Sequence, residues 1–561
     1  MSHPISETKP PRPRVAAVIW LLIVFAVAFD AAFLWQRAGG AYESEFGGHP
    51  DEAAHYVTGL FVRDAVTALP SCVSQKSIAP LKAFGPEAPG GFYEHYPKVA
   101  LGVWPPGFYA VQTGWTLPFG VSRTSVLLLM AALAGGVGVL LYRVVRVEFG
   151  AFAGFIAAIL WLSAPLIRTY YGMVMAEMLC TLTMFGATIF WGRFLDETRM
   201  RDAVCFGLLA AAAILTKGTG LALAVMVLLS LLLTRKWAVL RNRATWISAA
   251  IVAVIAGPWT WYFRKTGAQV GGWADNSGGT SLAFIREELP YYGGHVALAM
   301  GYAVLVFAVV GMCSRIFGRG PRVGRWAALA SLVFGVLIFQ CILPVGFEER
   351  HIISATPALV VFAVAGVVWV ARLPRIRAAE EAAQPQREWL WLVLLVLLSF
   401  PVFAMARVQK GCAGFAPLAD WLIAQSPKAR VLVCSDAVGE GMFISEVAML
   451  DQRPGMTIQR ASKSLVAKES QSWKGDNPLP RFDDAKLLAH LTSAKIEYII
   501  LDSAIPDRRR KDYHEQLTRV IESNAPNFWK VLESPINRDG EPMVRPLRLY
   551  RVKDAKNLIL K

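Results

Sequence analysis

Long apolar runs separated by short polar loops fill most of the chain. Eleven of them are candidates to cross a bilayer: residues 15–36, 124–142, 149–167, 173–192, 203–216, 218–234, 244–263, 295–313, 326–345, 352–371 and 389–407. Most approach the roughly 20 apolar residues that cover about 30 Å of hydrocarbon as a helix. With a cytoplasmic N-terminus, the loops on the inner side carry Arg143 and Arg146, then Arg193, Arg199 and Arg201, then Arg235, Lys236, Arg241 and Arg243, then Arg315, Arg319, Arg322 and Arg325, then Arg372, Arg375, Arg377 and Arg387. Every arginine-dense loop therefore falls on one side, as the positive-inside bias requires. The parity holds only if residues 104–119, WPPGFYAVQTGWTLPF, do not cross. That segment is short, opens on Pro105 and Pro106 and is interrupted by Gly114 and Pro118, so it reads as a surface or re-entrant helix.

After residue 408 the period changes. VLVCSD at 431–436, MTIQR at 456–460 and YIILD at 498–502 read as strands, with helical stretches near 439–449, 483–494 and 509–522 and a long loop over 461–482. Strands alternating with helices predict a small α/β sandwich with a largely parallel sheet. The expected organisation is a tail over 1–14, a membrane domain over 15–407 whose outer loop 37–123 carries surface helices, and an α/β domain over 408–561. An odd number of spans puts that last domain outside.

Composition narrows the class. The chain is 55% hydrophobic and 17% charged over 561 residues, and its mean hydropathy of +0.42 is too high for a soluble protein. The net charge of +16 sits in the short loops, so it reports topology and not a nucleic-acid partner. The seven cysteines show no metal or disulfide spacing.

Candidate chemistry gathers on the outer side. PDEAAHYVTGLFVRDAVTAL at 50–69 starts a helix with Asp51 and Glu52, and Ala54, Val57, Phe61 and Ala65 recur at helical spacing, as in a helix lying along a bilayer face. A helix N-terminus favours the ionised form of an acid, the state a general base needs, while capping is the competing role for Asp51. FYEHYPK at 92–98 supplies Glu94, His95 and Lys98; Glu94 and His95 are candidates for a divalent cation, although adjacent residues do not easily face one ion and a solvated loop is the alternative. Glu177 lies one turn inside a span, where an acid is costly unless it faces a cavity. Lys217 in LTKGTG suits a phosphate at the membrane surface or plain snorkelling, and FEERH at 347–351 offers Glu348, Glu349, Arg350 as a second phosphate ligand, and His351 as a metal ligand or hydrogen-bond donor.

The ordered set PDEAAHY, WPPGFY, an acid early in a span, LTKG and ERHIISATPAL resembles the GT-C membrane glycosyltransferases, in particular glycosyltransferase family 39, which includes protein O-mannosyltransferases and bacterial aminoarabinose transferases. The likeness covers roughly residues 15–371. It implies a sugar donor on a polyprenyl phosphate, an unidentified acceptor (lipid, glycan or protein), a multi-pass protein of a bacterial-type inner membrane, and an active site on the extracytoplasmic side. It also implies Asp51 as catalytic base with Glu52 beside it, Glu177 as the second acid, and Lys217 and Arg350 on the lipid phosphate, with Lys98 a further phosphate candidate. Relatives often have His or Lys before the proline pair, whereas this chain has Trp104. A hydroxyl attacking an anomeric carbon needs one carboxylate, and a phosphate leaving group needs positive charge but no acid, so inversion is expected and no cofactor is required beyond a possible divalent metal. The alternative function is a transporter or lipid flippase with a partner-binding outer domain, which calls for paired charges near mid-membrane and helices broken in corresponding halves. GEG at 439–441 lacks the longer glycine fingerprint of a nucleotide site.

A cysteine placed at residue 320 is expected to resist a membrane-impermeant thiol reagent applied to intact cells. Its labelling would reverse the assigned sidedness.

Overall fold

The computed structural model describes residues 14–86, 88–270, 282–317, 322–342, 347–377, 388–405, 408–451, 453, 455–466, 480–538 and 545–553. All eleven apolar segments contain helix. The first is α1 (Arg14–Ala38), followed by the surface elements α2 (Glu52–Ser74), α3 (Ala79–Lys82), α4 (Phe92–His95) and α5 (Gly107–Phe119). The bundle continues through α6 (Arg123–Phe149), α7 (Ala151–Ser163), α8 (Pro165–Tyr171), α9 (Glu177–Glu197), α10 (Met200–Thr216), α11 (Ala222–Thr234) and α12 (Arg243–Val270). It closes with α13 (Leu282–Met300), α14 (Tyr302–Ile316), α15 (Val323–Ile342), α16 (Thr356–Arg377) and α17 (Glu388–Met405). Among the described residues six helices are long and apolar enough to cross a membrane, or up to eight if each of two bent pairs is one span, and two apolar helices are shorter. The chain is a multi-pass helical membrane protein.

Two segments differ from the sequence reading. The span expected over 295–313 is divided at Gly301, whose φ of 80° turns α13 and α14 by 109° to each other. Much of the loop expected over 264–294 is therefore helix, with α12 running on to Val270 and α13 starting at Leu282. Similarly, Pro165 cannot continue the helix that ends at Ser163, and α7 and α8 bend by 69°.

The α5 helix has 13 residues. At 1.5 Å per residue it is about 20 Å long, well short of the hydrocarbon core. It lies against α2 and α6, where Gln112 donates to the Tyr56 carbonyl at 3.1 Å and Trp115 to the Ser125 carbonyl at 2.9 Å. Residues 52–61 of α2 are buried, while its second half exposes Val66, Leu69 and Val73, the apolar rim expected of a helix at a bilayer surface.

The loops rich in arginine gather at the opposite end of the bundle. There Arg322 pairs with Glu148, Arg325 with Glu197, Lys236 with Asp196 at 3.1 Å and Arg193 with Asp202 at 3.2 Å.

The C-terminal region starts with α18 (Ala416–Gln425) and carries a five-stranded sheet of β1 (Arg430–Cys434), β2 (Thr457–Arg460), β3 (Tyr498–Asp502), β4 (Phe528–Pro535) and β5 (Pro546–Val552) in the order β2-β1-β3-β5-β4. β1 runs parallel to β2 and β3, but β5 is antiparallel to both β3 and β4, so the sheet is mixed where a largely parallel one was expected. Charged residues such as Lys530, Glu533, Arg548 and Arg551 interrupt the apolar pattern of the edge pair β4 and β5, which hid them in the sequence. The helices α19 (Ala437–Leu450), α20 (Ala461–Ser464), α21 (Asp484–Ser493) and α22 (Asp512–Ser523) flank the sheet. Most of the loop expected over 461–482, with Trp473, lies outside the described residues. Phe482 stacks on His490 at 5.0 Å and packs against the outer core of the sheet.

One apolar cluster runs from the bundle through α2 into α19 and the inner face of the sheet, including Val57, Met442, Phe443, Val433 and Ile500. Glu45 adds a polar joint: its carboxylate accepts from the N–H groups of Gly414, Phe415 and Ala416 at 2.9, 3.1 and 2.9 Å, at the start of α18. Burial and the neighbouring Glu446 push Glu45 up to about 7 against the pull of those amides.

The crossing of α14 and α16 depends on glycine. A Cβ on Gly311 in α14 would lie 1.9 Å from the Phe362 carbonyl oxygen, and one on Gly366 in α16 would lie 2.0 Å from that of Phe307. Gly366→Leu should lower the thermal unfolding midpoint in detergent, the overpacking costing at least about 1–3 kcal/mol. Gly257→Ala, where a Cβ meets nothing within 4 Å, is the control that should melt with the wild type.

Candidate active site

Asp51 occupies the position before α2, with helical φ −86° and ψ −18°, and its side chain makes no capping hydrogen bond among the described residues. Instead its Oδ2 accepts from Arg350 Nη2 at 3.0 Å, across 299 positions of sequence. The capping role is thereby replaced by a long-range ion pair. His49 approaches the same carboxylate, with Nδ1 3.6 Å from Asp51 Oδ2 and Nε2 3.7 Å from Glu348.

Glu52 faces elsewhere. Its oxygens accept from the N–H groups of Gly48 at 3.0 Å and Val174 at 3.2 Å, stapling the start of α2 to the chain just ahead of α9. Burial raises its pKa, with Lys410 and the two amides pulling the other way.

Glu177 is the first residue of α9 and Lys217 the residue after α10, so both stand at helix ends on the side of the bundle that α2 covers. Lys217 Nζ donates to Glu177 Oε1 at 2.6 Å, and Arg350 Nη1 lies 3.6 Å from the same oxygen. Arg350, in a short 3-10 segment (Glu349–Ala355), also pairs with Glu348 through Nε and is only 9% exposed. Glu348 is drawn down to about 2: burial alone would raise it, but His49 and Arg350 outweigh that cost. The predicted Asp51, Glu177, Lys217 and Arg350 thus form one network.

The other predicted residues are elsewhere. Lys98 Nζ donates to the Pro50 carbonyl at 3.1 Å and not to the Glu177 carboxylate that gathers the other cations. Glu94 accepts from the Gly90 N–H at 3.0 Å, while His95 directs Nδ1 to the Met456 carbonyl at 2.7 Å and Nε2 to that of Gly90 at 3.2 Å. His351 Nδ1 meets the Tyr292 hydroxyl at 3.0 Å. Among the described residues no group of three or more His, Cys, Asp or Glu side chains could hold a metal ion, so Glu94, His95 and His351 do not converge.

Sequence reasoning missed His55, one helical turn after Asp51. Its Nδ1 lies 2.9 Å from the Tyr109 hydroxyl and its ring stacks on Trp104 at 4.1 Å, which gives the residue before the proline pair an aromatic partner. Burial pushes His55 down to about 4, helped by Arg350 and Lys217 and opposed by Asp51 and Glu177, so it is a neutral ring at physiological pH. The i, i+4 spacing in DEAAH was the available signal.

The GEG of α19 has a packing explanation. A Cβ on Gly439 would lie 2.0 Å from Ser435 Oγ, and one on Gly441 would lie 3.0 Å from the Ala53 Cβ of α2. Arg538 fills the crevice at the ends of β1 and β3, bonding Asp436 at 2.9 Å, Ser435 at 3.1 Å and Asp502.

A family model described as dolichyl-phosphate-mannose-protein mannosyltransferase matches residues 103–262. Among solved structures, ArnT from Cupriavidus metallidurans, in the apo state and bound to undecaprenyl phosphate, is similar with a TM-score of 0.58 and 13% identity over 96% of this chain and 99% of that one. The Archaeoglobus fulgidus oligosaccharyltransferase gives 0.54 and 13% identity, over 86% of this chain and 69% of its own. Arabinofuranosyltransferase AftD from Mycobacteria gives 0.54 and 16%, over 95% and 40%. No curated protein sequence matches. The fold is the one these GT-C enzymes share, and the family model over residues 103–262 agrees with the class that the chain's motifs resemble.

Glu177→Gln keeps the shape of the side chain but leaves Lys217 and Arg350 facing a neutral amide. Removing one partner of a buried ion pair costs about 3–5 kcal/mol. The thermal midpoint of the purified variant should fall accordingly, and an unchanged midpoint would mean that the network contributes nothing to folding.

Proposed function

We propose that this chain moves a sugar from a polyprenyl-phosphate donor to an acceptor hydroxyl, by direct inverting attack, at the extracytoplasmic face of a bacterial-type inner membrane. The observation that carries the reading is Arg350, which joins the Asp51 carboxylate to the Glu177–Lys217 pair at the end of the bundle covered by α2 and the C-terminal region. A transporter would hold its charges near mid-membrane. Here Glu177 begins one helix and Lys217 follows another.

In this mechanism the acceptor oxygen forms a bond to the anomeric carbon as the bond from that carbon to the phosphate oxygen breaks. The acceptor proton passes to Asp51, and the electron pair of the broken bond leaves with the polyprenyl phosphate, whose charge Lys217 and Arg350 stabilise. Glu177 keeps both cations in place and compensated before the donor arrives. Glu52 supports the site by fixing the first turn of α2. Residues 408–561 are assigned to selecting and positioning the acceptor.

Asp51→Asn should retain undecaprenyl phosphate binding and lose transfer by on the order of a hundredfold or more. Near-normal turnover would remove Asp51 from the mechanism. Charge-assisted bonds to phosphate are worth about 1.5–3 kcal/mol, so Lys217→Ala or Arg350→Ala should weaken donor binding about tenfold to a hundredfold, measured by titration with undecaprenyl phosphate. Unaltered affinity in both would move the phosphate elsewhere.

A further inference from the structure

Lys98 belongs to neither cation of the network. Its side chain is 9% exposed and its ammonium donates to the Pro50 carbonyl, the peptide group that leads directly into Asp51. The segment carrying it is held from the C-terminal region at several points. His95 Nδ1 meets the Met456 carbonyl at 2.7 Å, and Arg460 Nη1 reaches the Pro97 carbonyl at 3.4 Å. Arg460 is itself fixed by Glu440, at 2.8 Å, and Glu440 also accepts from the Ser462 hydroxyl at 2.6 Å and its N–H at 2.9 Å.

The far end of Lys98 lies where α19 meets α2. A Cβ on Gly441 would stand 3.3 Å from Lys98 Cε and 3.5 Å from Nζ, besides its approach to Ala53. A methyl group there would crowd Ala53 and press on the end of the lysine. The groups facing the ammonium are Arg460 from β2, Glu440 and Asp436 from the start of α19, and Asp51. Burial, with Arg460, pushes the Lys98 ammonium down to about 7 while the three carboxylates hold it up. An amine kept at such cost, on one backbone carbonyl beside the proposed base, is placed for geometry.

We infer that Lys98 is a positioning residue, which fixes the backbone at Pro50 and so aims the Asp51 carboxylate, and that the C-terminal region acts on turnover through it. The inference rests on the reading of Asp51 as base. It assigns the C-terminal region a part in the chemical step beyond acceptor selection, and it separates Lys98 from the residues that hold phosphate.

The experiment uses the full-length protein in detergent, with undecaprenyl phosphate as the binding probe and its release from an undecaprenyl-phosphate-linked sugar as the measure of turnover. Lys98→Met keeps the stem and removes the donor. A small misplacement of a catalytic group costs up to about a hundredfold, so turnover should fall tenfold to a hundredfold while undecaprenyl phosphate affinity stays within about twofold. Gly441→Ala, made in α19, should show the same split to a lesser degree, and it decides the question if Lys98→Met does not fold. A matching loss of affinity would make Lys98 a phosphate ligand and overturn the inference, as would full turnover in either folded variant. Asp51→Asn run alongside separates the failures: if it is inactive while Lys98→Met turns over normally, only the positioning role falls, and if it is active, the base assignment falls and the positioning role with it.

Discussion

Charge compensation at the mouth of an apolar bundle is the constraint on which the rest depends. A carboxylate or guanidinium moved out of water loses several kcal/mol of hydration, and the loss is recovered only by close opposite charges. Arg350 answers that demand for Asp51, Glu177 and Glu348 together, and Lys217 shares Glu177 with it. These residues come from the loop after α1, the start of α9, the end of α10 and the segment before α16, so the network forms only when four distant parts of the chain reach one place. Such a cluster is poor evidence for stability, since an apolar replacement of equal volume often does as well.

Much of this was readable from the sequence because the membrane imposes strong patterns. A helix must hide every backbone polar group, so long apolar runs locate the spans, and the loop arginines sort them by side. The network residues were legible for the same reason: Glu177 and Lys217 are conspicuous against apolar neighbours. Other features left weaker traces. The bend at Gly301 needs one glycine and no change in hydrophobicity, so 295–313 read as a single straight span. The strands β4, at one edge, and β5 beside it carry too many charges to stand out. His55 was overlooked because a lone histidine in an apolar helix is usually core, and its contacts with Trp104 and Tyr109 join segments about fifty residues apart.

The adjacent acids Asp51 and Glu52 illustrate what no linear pattern can settle. In a helix, successive side chains point about 100° apart, so neighbours in sequence rarely share a partner. Asp51 turns to a guanidinium and Glu52 to two backbone amides. One is left in a charged network that a ligand can reorganise, whereas the other is consumed in holding α2 against the chain ahead of α9.

On the proposed mechanism, the pair between Arg350 and Asp51 also orders the events. As the structure stands, Asp51 Oδ2 is engaged by the Arg350 guanidinium. A lipid phosphate entering between Lys217 and Arg350 offers the guanidinium a second anion, and the bidentate fork of arginine favours phosphate geometry. Asp51 is then relieved of its partner at the moment when the donor is in place. Lys98 keeps that released carboxylate from moving away, because its bond is to the backbone at Pro50 and not to the side chain. The base therefore becomes free without becoming loose, and before the donor binds, water near Asp51 meets a carboxylate still engaged by Arg350.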